Sequence, residues 1–466
     1  MMIKIKNIPS KIIALNGLIM TVVLLLSGCS DSPANNSGQP DDFPEKSYQV
    51  DETGHIIQTE MVVSDFEPSS ACQECHPQHY DEWQQSMHAY AMQDPVFFGG
   101  WNGEQQNRPE TGERFCLQCH NPVAFVTGTS LTGNADANEF LSSDLPDVIK
   151  DGVGCDICHV MTGLSPSVVT DDQVSANAEY HLNPGENIKY GSIETPISTD
   201  AHESQFAPIY KRSEICLPCH DFVIRGVEAE ITFTEWNRIP GLAMSGGLAC
   251  QVCHMAETGD GHHDHRFIGV DLDLSIPAED NPTFNAVTNL LQSSLEISMG
   301  DPVYTPPDEF INATIVDIPT TITSLTAHAV PSGVSFVREI WIEFQVRHNG
   351  EILAQSGSIS SNSEPLDKDD PQLLLFNTQL LDENGDPIGG VTDAHGIVNK
   401  TLGAFANRYH TYSFLIPNGL TDDLEISARV LFRPFYPAAL EGTHDNLLDN
   451  LPVIEMASLT QMISAP

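Results

Sequence analysis

Apolar and polar positions change their pattern several times along the chain of 466 residues. Lys4, Lys6 and Lys11 precede an apolar run from Ile12 through Leu26, interrupted at Asn16 and Gly17, and the run ends in Leu26-Ser27-Gly28-Cys29. A basic start, a short apolar core and small residues predict a secretory signal over residues 1–28, not a retained membrane span. Residues 29–66 are polar and rich in Ser, Asn, Asp and Pro; they cannot bury enough apolar surface to fold and predict a flexible tether, with His55 solvated in it. Over residues 67–270 the apolar signal is broken. Tyr80, Trp83, Met87 and Tyr90 recur at helical spacing, and the region predicts short helices, long loops and very little sheet. Residues 271–311 form a proline-punctuated connector around one apolar helical segment near Phe284 to Met299. From Asn312 the period becomes two: Phe336, Arg338, Ile340, Ile342, Phe344 and Val346 alternate with Glu339, Trp341, Glu343, Gln345 and Arg347. Asn349-Gly350 supplies a hairpin turn. Further strands fall at Leu373 to Leu381, Tyr409 to Ile416 and Leu424 to Phe432. The fold class is multidomain: a mainly α and loop domain, then an all-β sandwich over residues 312–466.

Charge narrows the partners. The formal net charge is −44, and residues 1–28 carry three lysines and no acid, so their removal makes it −47. That balance excludes nucleic acid and favours a basic protein or soluble cationic acceptor.

Chemistry enters through cysteine. Ten of the 11 cysteines fall in five copies of Cys-x-x-Cys-His: Cys72/Cys75/His76, Cys116/Cys119/His120, Cys155/Cys158/His159, Cys216/Cys219/His220 and Cys250/Cys253/His254. Each reads as a c-type haem attachment site, with two thioether bonds to the porphyrin and the histidine as proximal iron ligand. Zinc would use cysteine tetrads without a histidine at one fixed offset, and disulfides would leave five equivalent histidines unexplained. Residues 67–270 therefore read as a pentahaem cytochrome c domain with heme c (five) as cofactor. The motifs begin 44, 39, 61 and 34 residues apart, too close for a conventional core at each interval, so the rings themselves are expected to form the core. The eleventh cysteine, Cys29, ends a tetrad that resembles the lipobox of bacterial lipoproteins, which implies acylation there and a membrane anchor without a span. An ordinary cleaved signal is the alternative. Ser30 favours outer-membrane sorting by the same resemblance.

A sixth ligand at each iron separates a carrier from an enzyme. Of the 13 remaining histidines, five stand in suggestive contexts. His88 ends the Tyr80 to His88 helical pattern; a continuous helix from His76 would rise about 18 Å, so His88 is expected at a neighbouring haem. His202 precedes Cys216 by 14 residues, His181 lies in Tyr180-His181-Leu182, and His265 is preferred within His262-His263-Asp264-His265 because it abuts Phe267 and Ile268. A separate zinc site in that cluster is the alternative. His328, in Ala327-His328-Ala329-Val330-Pro331-Ser332-Gly333, sits in a loop with fixed turn chemistry, and spacing does not separate an outward-reaching ligand from a surface residue. Met87, Met92, Met161 and Met255 read as packing material, leaving bis-histidine, low-potential haems as the expectation.

The runs Tyr80-x-x-Trp83-x-x-Ser86-x-His88-Ala89, Gly152-Val153-Gly154-Cys155-Asp156-Ile157-Cys158-His159 and Ser213-Glu214-Ile215-Cys216-Leu217-Pro218-Cys219-His220 resemble multihaem cytochromes c related to the tetrahaem electron carrier of hydroxylamine oxidoreductase. The Ala327 to Gly333 loop with Arg338 and Trp341 resembles the β domain appended to many of them, whose loop histidine is a distal ligand. The resemblance covers about residues 69–440 and implies electron transfer, with His328 as a ligand. The fifth haem and the β domain depart from the tetrahaem carrier.

The expected function is electron transfer between redox donor and acceptor proteins by an exported lipoprotein of the outer membrane, facing the periplasm or the cell surface. The alternative is a multihaem reductase or oxidase of small nitrogen or sulfur compounds with one open haem. Ammonia-forming nitrite reductases, a pentahaem family, typically carry lysine in one motif, and Cys-x-x-Cys-Lys is absent here. A docking role for the β domain is compatible with either.

Overall fold

The computed structural model describes residues 45–50, 56–108, 112–131, 136–164, 180–242, 248–259 and 261–465. The signal segment, Cys29 and His55 lie outside them. Among the described residues no helix is long and apolar enough to cross a membrane.

Residues 61 to 254 wind through short helices whose ends are written locally. Proline opens Pro77–Trp83, Pro95–Asn107 and Pro122–Val126, where its missing N–H costs no helical hydrogen bond. Side-chain caps add to this: Asp94 accepts from the Val96 amide, Asn121 from Ala124 and Asp136 from Glu139. The helical spacing from Tyr80 to Tyr90 is not one helix. Ser86 accepts from the Ala89 amide and donates to the Trp83 carbonyl, ending Pro77–Trp83 and starting Met87–Tyr90.

Two expectations for this region change. It contains more sheet than its composition suggested, in three two-stranded ribbons among the described residues: Met161–Leu164 with Tyr180–Leu182, Ile188–Gly191 with Glu203–Phe206, and Phe222–Ile224 with Val227–Glu230. A fourth ribbon, Tyr48–Val50 with Ile56–Thr59, lies ahead of it in the stretch 29–66 expected as a flexible tether, whose Met61 and Phe66 are buried. Short ribbons satisfy backbone groups in the long intervals between motifs. It also has a side-chain core of its own, in which Phe98, Trp101, Phe125, Phe140 and Ile149 are buried together with Leu117 and Leu182.

The connector ends earlier than the apolar pattern implied. Helix Phe284–Gln292 stops, and Leu295–Met299 is a strand that pairs with Thr320–Ser324. Beyond it one sheet aligns Thr314–Ser324 antiparallel with Asn407–Ile416. A second aligns Glu339–His348 with Leu424–Arg433, which pairs in turn with Ile454–Ile463. Both sheets feed one apolar cluster containing Val316, Ile318, Ile340, Ile342, Phe344, Tyr412 and Val430, and the Phe344 and Tyr412 rings stack at 4.0 Å. Glu339–His348 is buried on both faces: on its alternate side Trp341, beside Leu431 of the neighbouring strand, packs against Leu366, and Glu339 is neutralised by the fully buried Arg433. Asn349 and Gly350 both have positive φ, 51° and 86°, as the tight hairpin turn before Glu351–Ser356 requires.

Candidate haem sites

Each motif is held by a local device. Cys155–His159 and Cys250–His254 are single helical turns, and helix Gly112–His120 ends on its motif histidine. Two serines, each three residues ahead of a first cysteine, tie motifs together: Ser69 Oγ accepts from the Cys155 amide and Ser213 Oγ from the Cys250 amide, both at 3.1 Å. Thiol contacts follow the same pairing, Cys72 with Cys155 and Cys216 with Cys250, and a third contact joins Cys119 with Cys219. The first motif thus lies against the third, while the fourth lies against both the second and the fifth. None of the ten motif cysteines is in a disulfide. Burial pushes the Cys116 and Cys158 thiols up to about 12.

The motif thiols differ in exposure. Cys75 and Cys253 are exposed, whereas the other eight motif cysteines are half-buried. The reason is local. Cys116, Cys158 and Cys219 pack against the side-chain core, and neither Cys75 nor Cys253 belongs to that cluster. Cys75 lies in the turn that follows the single-turn helix Ser69–Cys72, and the helix Cys250–His254 has no buried residue. Turns this short present the second thiol to solvent unless a neighbouring element covers them. Their contacting partners meet the first cysteine of each motif, Cys72 and Cys250, and not the second.

Four motif histidines face a second histidine across a gap. Ring centres are 6.3 Å apart for His76 and His202, 6.4 Å for His88 and His220, 6.5 Å for His159 and His265, and 6.3 Å for His254 and His328. A metal–nitrogen bond of about 2.0 Å on each side, plus about 1.1 Å from each nitrogen to its ring centre, places two axial imidazoles about 6.2 Å apart. The side chains therefore fit a six-coordinate iron at four positions, each with its two motif thiols nearby in sequence. Burial holds the imidazoles of His88 at about 3 and of His265 at about 4, so both are neutral, the form that offers a lone pair to a metal.

His120 differs. Burial lowers it to about 4, its Nδ1 lies 3.4 Å from the Ala91 carbonyl, and Phe97 stacks on its ring at 3.9 Å and 11°. Among the described residues no second histidine ring faces it. His181 is on strand Tyr180–Leu182 with its Nδ1 3.0 Å from the Glu45 carboxylate, and among the described residues no ring contact joins it to a motif histidine. In the His262-His263-Asp264-His265 cluster, His262 pairs with Glu82 at 2.8 Å and His265 donates its amide to the same carboxylate. No group of metal-binding side chains with zinc-like geometry occurs among the described residues.

Ring orientation comes from the backbone. The Nδ1 atoms of His159 and His254 meet the carbonyls of Tyr190 at 2.8 Å and Ile268 at 2.6 Å; those of His265 and His328 meet His263 at 2.6 Å and Ala329 at 2.8 Å. A neutral imidazole that donates there presents its other nitrogen to a metal. The His328 loop is docked by Glu235, which accepts from the Ala329 amide at 3.1 Å and from Ser332 Oγ at 2.7 Å. Phe97, Glu235, Ser69 and Ser213 were not singled out by sequence. The two serines leave one local signal, a Ser-x-x-Cys ahead of two motifs.

Residues 71–160 match the family described as Cytochrome c554 and c-prime. A crystal structure of a penta-heme cytochrome c552 from Thermochromatium tepidum shares the fold, with a TM-score of 0.61 and 21% identity over 86% of this chain and 99% of that one. No curated protein matches the chain. The family match covers 90 of the 466 residues, those that hold the first three motifs, and the structural likeness shows a shared fold.

Proposed function

We propose that the chain binds five haems c and relays single electrons along them as an exported, lipid-anchored cytochrome. The observation that carries this reading is the set of four imidazole pairs at 6.3–6.5 Å. Each bound haem supplies a reversible one-electron iron couple. The protein's own residues do the rest. Proximal ligands are His76, His120, His159, His220 and His254, and distal ligands are His202, His265, His88 and His328 for the first, third, fourth and fifth motifs. Paired neutral imidazoles favour low potentials and little rearrangement on electron transfer. Thiol contacts that join motif 1 to 3, 2 to 4 and 4 to 5 support a relay between neighbouring motifs. Cys75 and Cys253 keep their thioether roles in this reading, and their exposure leaves both positions reachable from solvent. The β region completes the fifth centre with His328, and we read its two larger sheets as a sandwich. Acylation of Cys29 anchors the protein at the outer membrane, and its acidity suits basic redox partner proteins.

A second reading, a multihaem redox enzyme of small nitrogen or sulfur compounds, is favoured by His120, whose iron would lack a facing histidine among the described residues. Intact mass of the purified protein, combined with a haem assay, tests the main reading. Five covalent haems are expected; fewer would overturn it.

A further inference from the structure

The contact between His220 and Glu230 departs from the carbonyl contacts made by His120, His159 and His254. His220 Nδ1 lies 3.4 Å from Glu230 Oε1. Of the motif histidines, His220 is the one with a carboxylate at Nδ1 among the described residues.

The placement of Glu230 follows from a local irregularity. Strand Phe222–Ile224 begins two residues after His220 and turns back through Arg225 and Gly226, both with positive φ, into Val227–Glu230. The register runs Ile224 to Val227 and Val223 to Glu228, then slips so that Phe222 opposes Glu230. In a regular strand Glu230 would share the face of Glu228, which is exposed and pairs with Arg238. The bulge at Ala229 turns Glu230 inward instead, to 8% exposure. Gly333 of the His328 loop lies over the carboxylate: a Cβ there would sit 3.8 Å from Glu230 Oε1. A buried carboxylate is thereby held at the imidazole of the motif that touches two others.

We propose that Glu230 is a positioning residue that raises the electron density of the His220 imidazole and so lowers the reduction potential of the iron that His220 ligates. A carboxylate facing the Nδ1–H pulls its proton more strongly than an amide carbonyl does, makes the opposite nitrogen a stronger donor, and stabilises the ferric state. The inference rests on His220 being an iron ligand.

The test is a potentiometric titration of the intact holoprotein and of Glu230→Gln, which keeps the shape and removes the charge. One of five midpoints should rise, and Glu230→Asp, which keeps the charge, should leave it nearer the wild-type value. Five unmoved midpoints in a fully loaded Gln variant would overturn the proposal. Wild-type protein provides a reading that no substitution can confuse: with 15N-labelled histidine, one axial Nδ1 resonance of the reduced state should lie toward the imidazolate range. If all axial Nδ1 resonances coincide, the proposal fails. His220→Ala separates the two levels of the argument. Loss of one low-spin signal there, with unmoved midpoints in Glu230→Gln, rejects Glu230 alone; unchanged low-spin signals in His220→Ala reject the ligation itself.

Discussion

The rings of His254 and His328 face each other at 6.3 Å and 23° although they belong to different parts of the chain. His254 ends the last motif, and His328 reaches it from a loop between strands Thr314–Ser324 and Glu339–His348. The hydrogen bonds to Glu235 hold that loop in place, and Arg338 pairs with Asp271 at 2.7 Å beside it. His328→Ala should therefore turn one low-spin haem high-spin and leave the number of covalent haems at five. Electron paramagnetic resonance reads this directly; an unchanged low-spin intensity would remove His328 from the ligand set.

A different outcome is expected at the second motif. No histidine ring faces His120 among the described residues, and Phe97 packs on its imidazole at 3.9 Å. The fully reduced protein should bind one equivalent of carbon monoxide, and the binding should disappear from a variant whose Cys116 and Cys119 are both replaced by Ala. An optical titration counts the equivalents. No binding would mean that a further ligand closes this iron, leaving a relay without an open site.

Patterns of fixed local spacing are legible in the sequence. The five Cys-x-x-Cys-His repeats stand out by their constant offsets, and the loop glycine and proline around His328 mark a rigid turn. How deeply each motif sits is not legible: the same spacing leaves Cys75 and Cys253 exposed and half-buries Cys116 and Cys158, because burial depends on which element packs over the turn. Pairings are hidden for a similar reason. His76 meets His202 and His88 meets His220 across more than a hundred residues, and nothing local records which partner is reached. His181 stood in an equally suggestive context, yet it lies beside Glu45. Glu230 was invisible because its inward turn depends on a one-residue register slip. The segment Leu295–Met299 read as a continuation of the preceding helix because a five-residue apolar run does not distinguish the two periods; pairing with Thr320–Ser324 decides it.

Asp94 provides a pH test of the haem region. Burial, followed by the Asp271 and Asp273 carboxylates, raises it from 3.8 to about 6 against the opposing cap bonds from Val96 and Phe97. The folded chain then holds a proton that the unfolded chain has lost between those two values, so stability falls as pH rises through about 4 to 6. The cost is complete above that window and absent below it. Asp94→Asn keeps an acceptor for the Val96 amide and removes the charge, so it should stabilise by on the order of 1–3 kcal/mol at pH 7 and lose the advantage below about pH 4. Melting temperatures of both proteins across that range check the sign. A gap that widens on acidification would contradict it.

Gly357 tests how the second sheet is closed. Directly after strand Glu351–Ser356 the chain adopts φ +64° at Gly357 and crosses the buried Trp341. The indole donates to the Gly357 carbonyl at 2.9 Å, and the Gly357 amide donates to Asp370 at 3.0 Å. A Cβ at this position would collide with the Ile342 carbonyl oxygen, a backbone atom of the central strand that cannot move alone. Gly357→Ala combines the left-handed backbone cost with this clash and should destabilise by roughly 2–4 kcal/mol. Gly385 has φ +85° and open space where a Cβ would point, so Gly385→Ala should cost only about 1 kcal/mol. Denaturant midpoints followed by far-ultraviolet circular dichroism compare the two. Equal losses would show that the backbone conformation alone, and not the close approach to Ile342, requires glycine at position 357.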